Sequence, residues 1–136
     1  KFYQITFIIN DAKYEAVSFN LKKNDNKYII HQIKGLIDYD DKIEECLKEK
    51  KDITQSISAD LKIINDDNYK SYFNNTLGTS IAYVTDLLIE NGGIGIWCSK
   101  WDKEHETIKS KGWFDTLNVD IFTNEFKNFM INEAYK

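Results

Sequence analysis

The sequence predicts an α+β fold: one domain in which an antiparallel sheet, a three-strand meander plus further strands, is covered by about three helices. Three observations predict it. Apolar residues near the start recur with a period of two, Tyr3, Ile5, Phe7 and Ile9 on one side and then Val17, Phe19 and Leu21, which is the pattern of paired half-buried strands. The elements run three strands, helix, strand, helix, strand, an irregular segment and a last helix, which is an α+β order. The length of 136 residues suits one core and no accessory domain, so residues 1–136 read as a single unit.

Taken in order, Asn10-Asp11 supplies a turn between the first two strands and Asn24-Asp25-Asn26 the next, before an isoleucine- and tyrosine-rich third strand over Lys27 to Ile37. Asp41 and Glu44 have capping-box spacing, and Ile43, Cys46 and Leu47 then share a face, predicting a short helix over 41–51. From Asp52 the period returns to two through Ile53, Gln55, Ile57, Ala59, Leu61 and Ile63, predicting a long fourth strand that Asp66-Asp67-Asn68 ends. Residues 66–78 read as a loop with one helical turn around Tyr69, Tyr72 and Phe73. Thr79 or Ser80 then caps a second helix with Ile81, Val84 and Leu88 inward and Gly92 beyond its end, followed by a buried strand over Gly93 to Cys98. Residues 99–120 show no clear period. Thr123 caps a last helix with a Phe126, Phe129, Met130 stripe and Phe122 placed as a staple.

Composition excludes several functions. All 18 basic residues are lysine. The guanidinium group that reads phosphates and base edges in two-pronged fashion is therefore missing, and so is an arginine finger. The net charge of -4 is spread evenly, with 11 Lys against 13 acids in residues 1–68 and 7 against 9 in 69–136, so neither half offers a basic surface to a polyanion. Nineteen Ile against three Val, with thirteen Asn, point to an A/T-rich coding sequence as the origin of this bias. No apolar run approaches the roughly 20 residues that span a bilayer. A soluble, cytoplasmic chain is expected; Lys1 leaves open a processed N-terminus, and with it a cleaved leader and a periplasmic location.

Motifs for chemistry are sparse. His105 lies among Asp102, Glu104 and Glu106, but position 109, where a helical zinc site would need its second histidine, is lysine, so His105 reads as part of a charged loop. His31 reads as a sheet histidine on the face of Ile29 and Ile33. Cys46 and Cys98 lack metal or redox spacing and read as buried, inert thiols. Gly92-Gly93-Ile94-Gly95 runs from a predicted helix into a strand, the reverse of a phosphate loop. The pairs Asp40-Asp41 and Asp66-Asp67 fall at element ends, where aspartate caps and terminates. The one N-x-T triplet, at Asn74, matters only for a secreted chain. No metal or other cofactor is expected.

The remaining candidate surface is the stretch from Trp97 to Asp120. Trp97, Trp101 and Trp113 are all the tryptophans of the chain, interleaved with Asp102, Glu104, Glu106 and Asp115. Tryptophan anchors interfaces and acids complement a basic partner, so these seven residues are the expected partner-binding set; the competing role for the rings is to fill a core beneath a long loop. A protein partner is expected, with no nucleic acid and no membrane; the oligomeric state stays open.

In size, acidity, Asn/Ile/Lys-rich composition and α+β order, the whole chain resembles the small immunity proteins of bacterial polymorphic and contact-dependent toxin systems. Its nearest local feature is Leu87-Leu88-Ile89-Glu90-Asn91-Gly92-Gly93-Ile94-Gly95-Ile96-Trp97. The resemblance implies an inhibitor that covers the active site of a cognate toxin domain, with a basic nuclease as one such target. It carries over no catalytic residues. The alternative is a small enzyme whose site is assembled from His105, Cys98 and neighbouring acids.

Overall fold

The computed structural model describes residues 1–9, 13–73 and 75–134. The turn expected at Asn10-Asp11 and the glycosylation triplet at Asn74 lie outside the described residues. Seven antiparallel strands form one sheet in the order β1-β2-β3-β7-β6-β5-β4. They are β1 (Phe2–Ile8), β2 (Ala16–Lys22), β3 (Ile30–Asp38), β4 (Asn65–Tyr72), β5 (Ile81–Ile89), β6 (Gly92–Lys100) and β7 (Thr116–Thr123). Among the described residues three α-helices, α1 (Ile43–Asp60), α2 (Glu106–Lys111) and α3 (Asn124–Asn132), complete the α+β fold that the sequence predicts. The opening meander stands, with β1 paired to β2 and β2 to β3.

α1 lies across one side of the sheet and buries Cys46 against Ile94, Ile96, Cys98, Leu87, Leu117 and Ile37, with Ile43, Leu47, Ile53 and Ile57 packed around them. We call this side the α1 face. Those helix residues follow the 3.6-residue period across the whole of α1, which explains why the fourth strand expected over 52–63 does not form. No glycine or proline stops the helix after Lys51, and of the alternating residues within the helix Ile53 and Ile57 point inward while Gln55 and Ala59 face solvent. The expected capping box does not form either. Lys42 occupies the cap position without a side-chain bond, and Asp41 pairs instead with Lys103 at 2.6 Å.

The strands missing from the sequence-based expectation lie downstream. Residues 65–72, expected as a loop, form the edge strand β4, exposed at every position, which is why its polar composition gives no strand signal. Residues 81–89, expected as a helix, form β5, in which Ile81, Tyr83, Thr85, Leu87 and Ile89 take one side by alternation. Its β-branched and aromatic content suits a strand. Gly92 is therefore no helix cap. It opens β6 opposite Thr123, where an added Cβ would lie 2.0 Å from the Phe122 carbonyl oxygen. The aperiodic stretch 99–120 contains α2 and most of β7, the central strand of the sheet.

The thiols expected to be free and inert are joined: Cys46 and Cys98 form a disulfide across 52 residues that ties α1 to β6. The final helix matches expectation, with the Thr123 side chain accepting from the Phe126 N–H at its start. α3 covers one end of the sheet's other side, which we call the open face.

Candidate functional site

Away from α3, the open face forms a cleft of about 540 Å³. Register builds its floor. Leu36, Asn118 and Trp97 lie side by side on β3, β7 and β6, and Asp38, Thr116 and Ser99 form the next row toward the sheet's end. Trp101, Phe73 and the 112–114 loop make the walls. Trp101 stacks on Phe73 with centroids 4.7 Å apart and meets Trp113 at the same distance, so the tryptophans expected at the site do converge there. Trp97 stands nearby, over Gly95, with the Lys34 ammonium 5.0 Å from its ring. Gly112 ends α2 in the left-handed conformation, with φ of 60°. That reversal brings Trp113 and Phe114 back over the sheet.

The acids separate into two groups. Asp115 is only 3% exposed. It accepts from the Trp101 backbone N–H at 3.0 Å, and its burial removes it from the expected contact set. Asp102 accepts from the Thr79 N–H and hydroxyl and from the Glu104 N–H, bonds that hold its carboxyl below the usual range and fix the loop. Both carboxylates serve the backbone here. Glu104, paired with Lys109 at 2.8 Å, and Glu106, in the first turn of α2, are exposed, and neither lines the cleft. Lys103 braces the wall, donating to the Trp113 carbonyl at 2.7 Å, pairing with Asp41 and lying over the Phe114 ring.

The cleft also contains residues that the sequence did not single out. Lys34, Leu36, Asp38, Phe73, Ser99, Phe114, Thr116 and Asn118 all line it. The alternation of β3 and β7 contains the signal for these positions, but only strand order shows that the two strands are neighbours. Burial, with Glu15 hydrogen-bonded to it and Asp40 nearby, pushes the Asp38 carboxyl up to about 6. Farther along the same face Asp120 accepts from Gln32 at 2.6 Å, and burial raises its pKa.

The residues of the alternative enzymatic site part company. Cys98 is bonded to Cys46 in the core under α1 and has no thiolate to offer. His105 sits in the loop against Gly78 and Asp102. His31 borders the same hollow as Ile29 but is not on the face of Ile33: a register slip between Asn20 and Leu21 makes it the extra residue of a bulge. Its buried ring contacts Phe2 edge-on at 5.1 Å and Thr123 at 3.1 Å. Among the described residues no group of three His, Cys, Asp or Glu is placed to hold a metal, and no helix is long and apolar enough to cross a membrane. No protein-family model matches the chain, and neither a curated protein nor a solved structure matches it significantly.

Proposed function

We propose that the chain is a protein-binding module of the immunity type, which neutralises a cognate toxin domain by covering its active site through the aromatic cleft of the open face. The observation that carries this reading is the cleft itself: Trp97, Trp101, Trp113, Phe73 and Phe114 gathered around Ser99, Thr116 and Asn118; Glu104 and Glu106 are exposed on the segment that leads from Trp101 into α2. Aromatic anchors set in a polar surround are the usual source of binding energy at protein interfaces. The net charge of -4 favours a basic target such as a nuclease, because opposite charge speeds encounter. The contact set is Trp97, Trp101, Trp113, Phe114, Glu104 and Glu106. Asp102 and Asp115 act behind it by holding Thr79 and Trp101 in place.

The disulfide bears on location. Such bonds persist in oxidising compartments and are rare in the reducing cytosol, so Cys46–Cys98 supports a periplasmic or exported chain over the cytoplasmic location expected from sequence.

The test is co-purification with the tagged chain from its native cells, identification of what is retained, and calorimetric titration of that protein. The double variant Glu104→Lys/Glu106→Lys should bind about tenfold more weakly or worse, because both changes oppose a basic partner. Its stability should stay within about 0.5 kcal/mol of the parent, as for other exposed substitutions. Equal affinity would remove these acids from the interface, and equal affinity after Phe114→Ala as well would remove the cleft.

A further inference from the structure

Among the described residues that line the cleft, Asp38 is the only acid, and the walls of Trp101, Trp113 and Phe114 stand at its end. It heads a row of polar groups set by register, with Thr116 beside it on β7 and Ser99 beyond on β6. The Asn118 Nδ2 donates to the Thr116 hydroxyl at 3.2 Å. Ser99 is 2% exposed, and its hydroxyl, on the cleft side, has no hydrogen-bond partner among the described residues. Neighbouring strands stand about 4.8 Å apart, so a group placed above Thr116 is within reach of both Asp38 and Ser99.

Among the described residues no lysine pairs with Asp38. Lys103 is held by Asp41 and the Trp113 carbonyl. Lys34 lies over Trp97, and four residues of strand put it about 13 Å from Asp38, beyond the screening length at physiological salt. The charged groups that do face Asp38 are both acids, Glu15 ahead of β2 and Asp40 after β3. Burial and Glu15 push its carboxyl up to about 6, so at neutral pH the fold carries this charge at a cost to its own stability. A perturbed carboxylate kept in a cleft at such a cost marks a functional position. The rings beside it already take cations on their faces, Lys103 over Phe114 at 5.5 Å and Lys111 over Trp113 at 4.9 Å.

We propose that the Asp38 end of the cleft seats a basic side chain of the partner, a lysine or arginine whose charged head lies above Thr116 between Asp38 and Ser99. Its alkyl stem runs against Trp101, Trp113 and Phe114, which keep water from it. The carboxylate attracts the head, and the Thr116 and Ser99 hydroxyls accept from its remaining N–H groups. This rests on the protein-binding reading of the cleft and adds the chemistry of the group that enters. Glu104 and Glu106 act on the partner's charge from outside the cleft, whereas Asp38 fixes one residue of it.

Titration of the oxidised chain with N-acetyl-lysine methylamide and N-acetyl-arginine methylamide, followed by the three tryptophan indole N–H resonances, tests this. N-acetyl-norleucine methylamide is the uncharged control. At pH 7.5 at least one charged probe should bind about fivefold more tightly than the control, the worth of one charge pair near a surface, and shift Trp101 and Trp113. That preference should shrink at pH 5, where Asp38 takes up a proton, and in Asp38→Asn at pH 7.5. Charged probes that bind no better than the control, or a preference undiminished at pH 5 or in Asp38→Asn, overturn the proposal. With the retained partner, Asp38→Asn should weaken binding about tenfold or more. Unchanged affinity there beside a loss in Phe114→Ala overturns this seat and leaves the cleft as the interface; unchanged affinity in both overturns the seat and the cleft together.

Discussion

The two sides of the sheet divide the work of the molecule. On the α1 face, Ile94, Ile96, Cys98 and Leu117 are at most 1% exposed and are locked under α1 by a disulfide. On the open face the same strands turn out Trp97, Ser99, Thr116 and Asn118, polar or aromatic groups that line a cleft. One strand therefore serves both sides, and the period of two makes this possible: a substitution at 117 or at 118 touches a different function. Buried apolar packing gives stability in proportion to area, whereas recognition needs exposed groups held in fixed positions. The open face obtains that fixity from backbone clamps such as Asp115 on Trp101 and Asp102 on Thr79.

The sharpest way to break this division is on the α1 face. Replacing Cys46 and Cys98 together by Ala removes a link that closes 52 residues of sequence, and loop entropy assigns about 4 kcal/mol to it. Denaturant unfolding of the variant should show that loss, while partner affinity at a temperature where it remains folded should be unchanged. A large loss of affinity in the folded variant would show that the two faces are coupled.

Asp38 sharpens the comparison from the other side. Its carboxyl is pushed up to about 6 by burial and by Glu15, from an ordinary value of 3.8. Between about pH 4 and 6 the folded chain holds more proton at this site than the unfolded one, so this group makes stability fall as pH rises through that window. Asp38→Asn should remove this part of the slope and stabilise the chain at pH 7 by roughly 1 kcal/mol, a figure reduced for solvent screening at a half-exposed site. Parallel stability profiles for the two proteins from pH 4 to 7 would contradict it. The smallest effect on stability is expected at Phe114, 47% exposed on the cleft wall. Phe114→Ala should cost less than about 1 kcal/mol in thermal unfolding while weakening partner binding severalfold.

Several elements were legible because their signals are local. The β1–β2 hairpin shows in the alternation from Tyr3 to Leu21, and α3 shows in Thr123 three residues before Phe126, the pair that makes its first capping bond. Where two periods compete, local pattern misleads. Ile53 and Ile57 satisfy both an alternating strand and a helix, and the helix prevails because Ile43, Cys46 and Leu47 have already set the face that docks on β6. β5 shows the converse, since Ile81, Val84 and Leu88 fit a helical stripe but pairing with β6 places alternate residues in the core. The three tryptophans were visible as a cluster in the sequence. That Asp115 is buried while Asp38 and Asn118 share the cleft was not, because β3 and β7 are separated by about eighty residues and meet only through sheet order.

The sequence by itself determined the α+β class, the opening meander, the final helix and the lack of any arginine-based chemistry, all of which depend on residue type and on neighbours a few positions apart. Tertiary structure decided the length of α1, the strands at β4 and β5, the Cys46–Cys98 bond and the composition of the cleft. Each of these rests on contacts between residues distant in sequence, where burial and register, rather than local propensity, choose the lowest free energy.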